Sequence, residues 1–325
     1  MVVVVTGASG HVGVNIVREL LVQGYKVRAL IHSSQKALEN LDIETVKGDV
    51  TDYESLVRAF CGADYVIHTA GYVSITDDEW EVLREINING VKNVINACKE
   101  CEVKRLIHFS SIEAVDRNAY SVPIDESFPL DTLEKASPYA RSKVMGEQLV
   151  MEVIKEGFDA VIVNPAGIIG PFDFKFGKST QAVISICKGK LPILVHGAAN
   201  WVDVRDVAKA VVAALVMAPK GERYMLSGHK IDLKTFVKTI EAEILRTKTR
   251  IYLPIWVVDM FIPVASLYYR LVNKEPLITH VSLDALKGNW DISYEKAKRD
   301  LSFESRPFQD TISDMIRWMQ EVGFV

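Results

Sequence analysis

Cysteine is scarce, with four residues in a chain of 325. Cys61, Cys98, Cys101 and Cys187 are too few and too irregularly spaced for a disulfide scaffold. Cys98 and Cys101 form a C-x-x-C at the end of a helical pattern, but no second pair completes a zinc site. Free thiols in a reducing cytosol are the expectation, and no metal is expected. Blocks of like charge are also missing. Lys and Arg are scattered and the formal net charge is -4, which removes the electrostatic case for a nucleic-acid partner. Internal repeats, low-complexity tracts and Pro/Ser/Gly linkers do not occur, so the chain reads as one packed unit, long enough for an α/β domain with an added lobe. No leader is read before the first strand, which begins at Val2, and a cytoplasmic location is expected. One apolar stretch approaches the length of a bilayer span, IYLPIWVVDMFIPVASLYYRL at 251–271. Asp259 interrupts it, Pro254 and Pro263 break it, and Arg270 closes it. We expect a buried or partly exposed apolar helix there and no membrane partner, contact with a membrane surface being the other reading.

What is present is alternation. Short β-branched runs at 2–5, 26–31, 43–47, 64–68, 104–109 and 159–164 are separated by helical patterns near 11–23, 53–60, 79–101 and 138–156. Strands that are apolar on both faces and alternate with helices predict an α/β fold with a doubly wound, parallel, Rossmann-type sheet. Residues 1–165 would form the dinucleotide-binding domain. Beyond Pro165 the pattern loosens, with strand candidates at 191–195 and 223–226 and helices near 204–217, 232–246, 279–287 and 307–321. Residues 166–325 are expected to make a smaller, mainly helical substrate lobe interleaved with the last strands of the sheet.

TGASGHVG at 6–13 follows the first strand and opens the first helix. Gly7 suits a turn with positive φ, Gly10 allows a pyrophosphate to approach the backbone, and Gly13 allows the helix to pack on the strand. The helix N-terminus offers unpaired N–H groups to phosphate, so Ser9, His11 and Val12 join the candidate contacts. An NAD-selective site places a carboxylate at the end of the second strand, but here VRALIHSSQK puts His32 and Ser33 there, with Arg28 before and Lys36 after. That favours NADP over NAD. KGDVTD places Asp49 and Val50 past the third strand, where Asp49 either receives an adenine amino group or is a turn residue. IHTAGY places His68, Ala70 and Gly71 past the fourth.

SPYARSKVMGEQL carries Tyr139 and Lys143 at i and i+4, on one face of a helix that Ser137 can cap and Pro138 can start. A free phenol, with a pKa of about 10, is a poor base. A neighbouring ammonium and an oxidised nicotinamide would lower that value and let the phenol exchange a proton with a substrate oxygen. RLIHFSSIEAV ends the fifth strand with Ser110 and Ser111, and LREINING adds Asn87 as a catalytic candidate that supports the Lys143 backbone or a water, or else simply packs.

Taken in order, TGASGHVG, GDVTD, HTAG, NINGVKNV, FSSIEAV, YARSK and NPAGIIGP resemble the extended short-chain dehydrogenase/reductase superfamily, that of NAD-dependent epimerases and dehydratases, over residues 2 to about 175. Within it the chain is most similar to dihydroflavonol-reductase-like proteins and hopanoid-associated sugar epimerases. The resemblance implies Tyr139 as acid/base, Lys143 on the nicotinamide ribose and Ser111, rather than Ser110, on the substrate oxygen. It also implies that Pro165, Ala166 and Ile168 flank the nicotinamide. The V-Y-G ending common in nucleotide-sugar enzymes is absent from SSIEAVDRN, which argues against such a substrate. The expected partner is a small carbonyl or alcohol, and a homodimer is an open expectation. Three functions follow: a carbonyl reductase, a sugar epimerase or dehydratase with transient hydride transfer, and a cofactor-binding regulatory protein. Phe172, Phe174, Phe176 and Trp201 read either as an apolar substrate pocket or as core. Asp206 reads as a structural residue.

Overall fold

Val3, Val4 and Val5 are fully buried in the first strand, and each such side chain contributes roughly 1.5 kcal/mol or more to folding. The computed structural model that contains this strand describes all residues except 33–34, 77, 119–121, 135 and 263–278. The strands are β1 (Val2–Thr6), β2 (Lys26–Ile31), β3 (Glu44–Lys47), β4 (Tyr65–His68), β5 (Arg105–Phe109), β6 (Ala160–Pro165), β7 (Gly167–Ile169), β8 (Ile193–Val195), β9 (Ala198–Asp203), β10 (Arg223–Leu226), β11 (His229–Asp232) and β12 (Ile251–Leu253). The helices that build the frame are α1 (His11–Val22), α2 (Tyr53–Phe60), α3 (Trp80–Arg84), α4 (Gly90–Glu100), α5 (Pro138–Lys155), α6 (Lys178–Cys187), α7 (Val204–Met217) and α8 (Leu233–Glu243).

Seven strands form the main sheet in the order β10-β6-β5-β4-β1-β2-β3, all paired in parallel. The order reverses between β1 and β4, so their carboxyl ends flank the crevice in which such sheets bind ligands. One apolar layer joins α1 and α7 to one face of the sheet, and a second joins α2, α4 and α5 to the other. The remaining strands form two small sheets, β11-β9-β7 and β12-β8. A third cluster gathers α6, α8 and the helix Phe308–Glu321 around Trp318 and Met319.

Residues assigned to the second lobe complete the first. Strand β10 is the edge of the main sheet, and β9 runs into α7 without an intervening residue. Arg105 on β5 reaches the end of α7, its Nη1 donating to the carbonyls of Ala214 (2.9 Å), Leu215 (3.2 Å) and Ala218 (2.8 Å) while Asp159 holds the rest of the guanidinium. Helix-end carbonyls have no intrahelical partner, and a cation there answers both their hydrogen bonds and the helix dipole.

Several elements depart from the sequence pattern, and strands β7, β9, β11 and β12 were not expected. The single helix expected at 79–101 is α3 and α4 joined by a π-helical stretch, Glu85–Asn89. Helix α6 was not expected, because Val183, Ile184 and Ile186 make its sequence look strand-like. Within the apolar stretch 251–271, residues 251–253 are a strand and 255–262 a helix, and the rest lies outside the described residues. No helix among the described residues is long and apolar enough to cross a membrane, and none of their side chains cluster as a metal site.

Candidate active site

A cleft of about 1050 Å³ opens over the carboxyl ends of β1, β4, β5 and β6. Gly10, His11 and Val12 form one wall, Ser111, Tyr139 and Lys143 the floor, and Pro165, Ala166 and Ile168 the far side, with Gly71 between. The glycine loop is built as its spacing implies. Gly7 has φ +68°, and a Cβ on Gly13 would lie 2.2 Å from the Gly7 carbonyl oxygen, which no side chain tolerates. Gly10 precedes α1, whose first turn has no acidic residue and no capping side chain. The N–H groups there are open to an anion, so the loop fits a dinucleotide pyrophosphate. Ser9 is buried beneath it, and the His11 imidazole turns to the Pro171 carbonyl (3.2 Å). Burial lowers the His11 pKa, which favours the neutral ring.

At the chemical end, Ser137 caps α5 through the Ala140 N–H (3.2 Å) and Pro138 occupies its first turn. The Ser111 hydroxyl lies beside the Tyr139 phenol and works to lower its pKa, and it accepts the Glu113 N–H (3.1 Å). Ser110, by contrast, has no hydrogen-bond partner for its buried hydroxyl among the described residues. Lys143 donates to the Phe109 carbonyl (2.8 Å). Burial pushes its pKa down to about 8, against the pull of Glu147. The phenol does not follow the expectation of a lowered pKa. Burial pushes it up to about 12, the neighbouring Ser111 hydroxyl only partly opposes this, and the Lys143 ammonium is bound to a backbone carbonyl.

Behind the floor lies a buried polar chain that sequence reading missed. The Asn164 amide donates to the Ser111 carbonyl (3.0 Å) and to Glu147 Oε2 (2.8 Å), and Arg223 reaches Glu147 Oε1 at 3.3 Å. Its sequence signal, an Asn ending a wholly apolar strand and a Glu on the apolar face of α5, was present. Asn87 lies in the π-helical stretch and does not line the cleft. Its side chain accepts the Tyr72 N–H (2.8 Å) and donates to the Tyr72 carbonyl and the Ser142 hydroxyl (2.9 Å each). It is thus a clasp between the loop after β4 and α5, not the catalytic contact or support of the Lys143 backbone expected from the sequence.

Other expected contacts fall away from the cleft. His68 is 1% exposed, because its ring turns inward onto Thr6 Oγ1 (2.7 Å) and His108. Burial, with the charge of Lys143, lowers its pKa to about 3, so it is neutral. Ala70 is tied through its N–H to Thr6, and Val50 is buried under Gly90. Asp49 is a turn residue, accepting from the Thr51 N–H and hydroxyl (2.8 Å each), and its other oxygen lies 3.2 Å from His32 Nε2. Ser33 lies outside the described residues. Arg28 is held far from the strand end by Glu44 and the carbonyls of Ala59 and Cys61. Of the four aromatics, Phe172, Phe174 and Trp201 are half-buried and packed against the core on Trp318 and Phe236, and Phe176, like Trp290, lines the cleft. Asp206 is structural, as expected, binding the Arg306 N–H (2.9 Å) and guanidinium.

Residues 3–227 match the model of the NAD dependent epimerase/dehydratase family. Along its whole length the chain is 29% identical to the whole of "Sterol demethylase protein B" of Methylococcus capsulatus. It is also 29% identical to a "Putative dihydroflavonol 4-reductase" of Synechocystis over 99% of the chain and 95% of the relative. The crystal structure of gox2253 superposes with a TM-score of 0.88 at 29% identity, covering 100% of this chain and 99% of that one.

Proposed function

Because the chain belongs to the NAD dependent epimerase/dehydratase family, and is therefore an enzyme, we propose that it reduces a small apolar carbonyl compound to an alcohol, or runs the reverse, preferring NADP to NAD. The regulatory alternative falls away with the family. The observation that carries the reading is the placing of the Ser111 and Tyr139 hydroxyls beside each other on the cleft floor, with Lys143 one turn along the same helix. A carbonyl oxygen seated there would accept from both hydroxyls, and Tyr139 would hand over its proton as the carbon is reduced. The bound dinucleotide supplies the hydride. Lys143 would hold its ribose and, as a cation, stabilise the phenolate left when the proton is handed over. Gly10 and the first turn of α1 would hold its pyrophosphate. His32, with no carboxylate on its own strand end, leaves room for a 2′-phosphate.

Val73, Ile75, Ile112, Phe176 and Trp290 give the cleft apolar walls, and the name of the Synechocystis relative supports carbonyl reduction. The epimerase reading is favoured by the family match itself. Purified protein incubated with NADPH and a panel of apolar ketones and aldehydes tests the two. One reduced cofactor consumed per alcohol formed is expected. Conversion of a sugar with no net change in cofactor would replace the reductase by the epimerase.

A further inference from the structure

The helix at 255–262 is apolar on two sides. One side, Ile255, Val258 and Ile262, packs with Val195 and Leu283 in a small satellite core. The other, Trp256, Met260 and Phe261, is 70%, 61% and 58% exposed. A helix with apolar residues on both sides needs a second apolar neighbour besides the core. Ile251 (59%) and Ile193 (46%), paired in β12 and β8, extend the surface, and Leu245 (94%) lies at its margin. The rim is basic. Lys188, Lys190, Arg246 and Lys248 are exposed, and neither 188–193 nor 244–258 contains an acidic residue. The two segments are one surface, since Arg250 binds the Leu191 carbonyl (2.5 Å) and Lys248 the Gly189 carbonyl (3.3 Å).

We propose that this face docks the enzyme on an anionic lipid surface. Trp and Phe at the level of the headgroups, with lysine and arginine beside them, are the composition of an interfacial helix, and the basic flank complements a negatively charged leaflet. The helix lies in the interface and does not cross it, as the charge of Asp259 requires. The docked face adjoins the cleft. Asp259 pairs with His280 (2.6 Å), and the preceding residue, Thr279, donates to the Ile75 carbonyl on the cleft lip (2.5 Å). A substrate dissolved in lipid would thus meet the lip beside the membrane.

The test is flotation of the full chain with vesicles of phosphatidylcholine alone and of an equal mixture with phosphatidylglycerol. Binding to the mixture, weakened by salt and by Lys188→Gln with Lys190→Gln, is expected. Trp256→Ser with Phe261→Ser should lower vesicle affinity by about tenfold or more. Circular dichroism and cofactor binding would confirm that the variants are folded. Failure of the parent chain to float would overturn the proposal, and so would undiminished binding by the Trp256/Phe261 variant. A parent dimer that this variant turns into monomer would assign the face to a second copy instead. Because flotation reads no turnover, its outcome is independent of the carbonyl-reductase reading.

Discussion

The two ends of the cleft are built differently. At the chemical end Ser111, Lys143, Asn164 and Glu147 are buried and held by neighbours, and Tyr139 is half-buried beside Ser111. The Phe109 carbonyl holds Lys143, and Asn164 holds the Ser111 backbone and is bound in turn to Glu147 and through it to Arg223. At the end where β2 and β3 finish, exposed His32 and half-buried Asp49 meet each other at 3.2 Å. Low-dielectric surroundings make every contact at the first end expensive to lose, whereas water screens those at the second. The chemistry should therefore be intolerant of substitution, and the choice between NADP and NAD should be soft.

The sharpest way to break that contrast is Tyr139→Phe. Deleting one hydroxyl should leave cofactor affinity unchanged and lower kcat by about 10²–10⁴-fold. Near-normal turnover would move the proton transfer elsewhere. Lys143 offers a pH-dependent test. Its pKa is depressed to about 8, so it is cationic below that pH and neutral above. If the cation binds the cofactor, affinity is flat below about pH 8 and falls above it by as much as about tenfold per unit. Titration of Lys143→Met should give weaker binding and no such bend.

Asn164→Ala probes the wiring. Glu147 is fully buried and would lose a donor, which costs about 1–3 kcal/mol. The variant should melt earlier and lose turnover as Ser111 loosens. A melting temperature equal to the parent's would show that the chain of bonds is ornamental. The smallest effect is expected at the exposed end. The Asp49 carboxylate repels a 2′-phosphate through a mostly solvated path, so Asp49→Asn should raise the NADPH preference by only about threefold. A change of a hundredfold would mean that this end is as tightly specified as the other.

The sequence was informative where one residue type is demanded by local backbone geometry. Gly7 and Gly13 were legible because nothing larger fits, and Ser137-Pro138 because a helix start rewards both. The parallel strands were legible because Val and Ile fill both their faces. The buried chain through Asn164 and Glu147 was not, since it joins β6, α5 and β10 at contacts that no spacing encodes. His68 misled for the same reason. Its place at the end of β4 was right, but the direction of its ring depends on Thr6 and His108, on neighbouring strands. The aromatics of 172–201 divide between core and cleft according to where Trp318, more than a hundred residues later in the chain, comes to rest.

The grip of Arg105 on the last carbonyls of α7 bears on how the cleft admits its ligands. Strand β9 passes into that helix with no residue to serve as a hinge, and the helix is bonded at its far end to the central sheet. Swinging the lobes apart would break those bonds and expose the α1–α7 layer. The cleft lip at 72–76 is tied to the body through the Asn87 clasp on Tyr72 and the Thr279 bond to Ile75. If ligands pass that lip, the rate of product release should answer to changes at Asn87 and Thr279 while remaining indifferent to the viscosity-dependent drag that slows whole-domain closure.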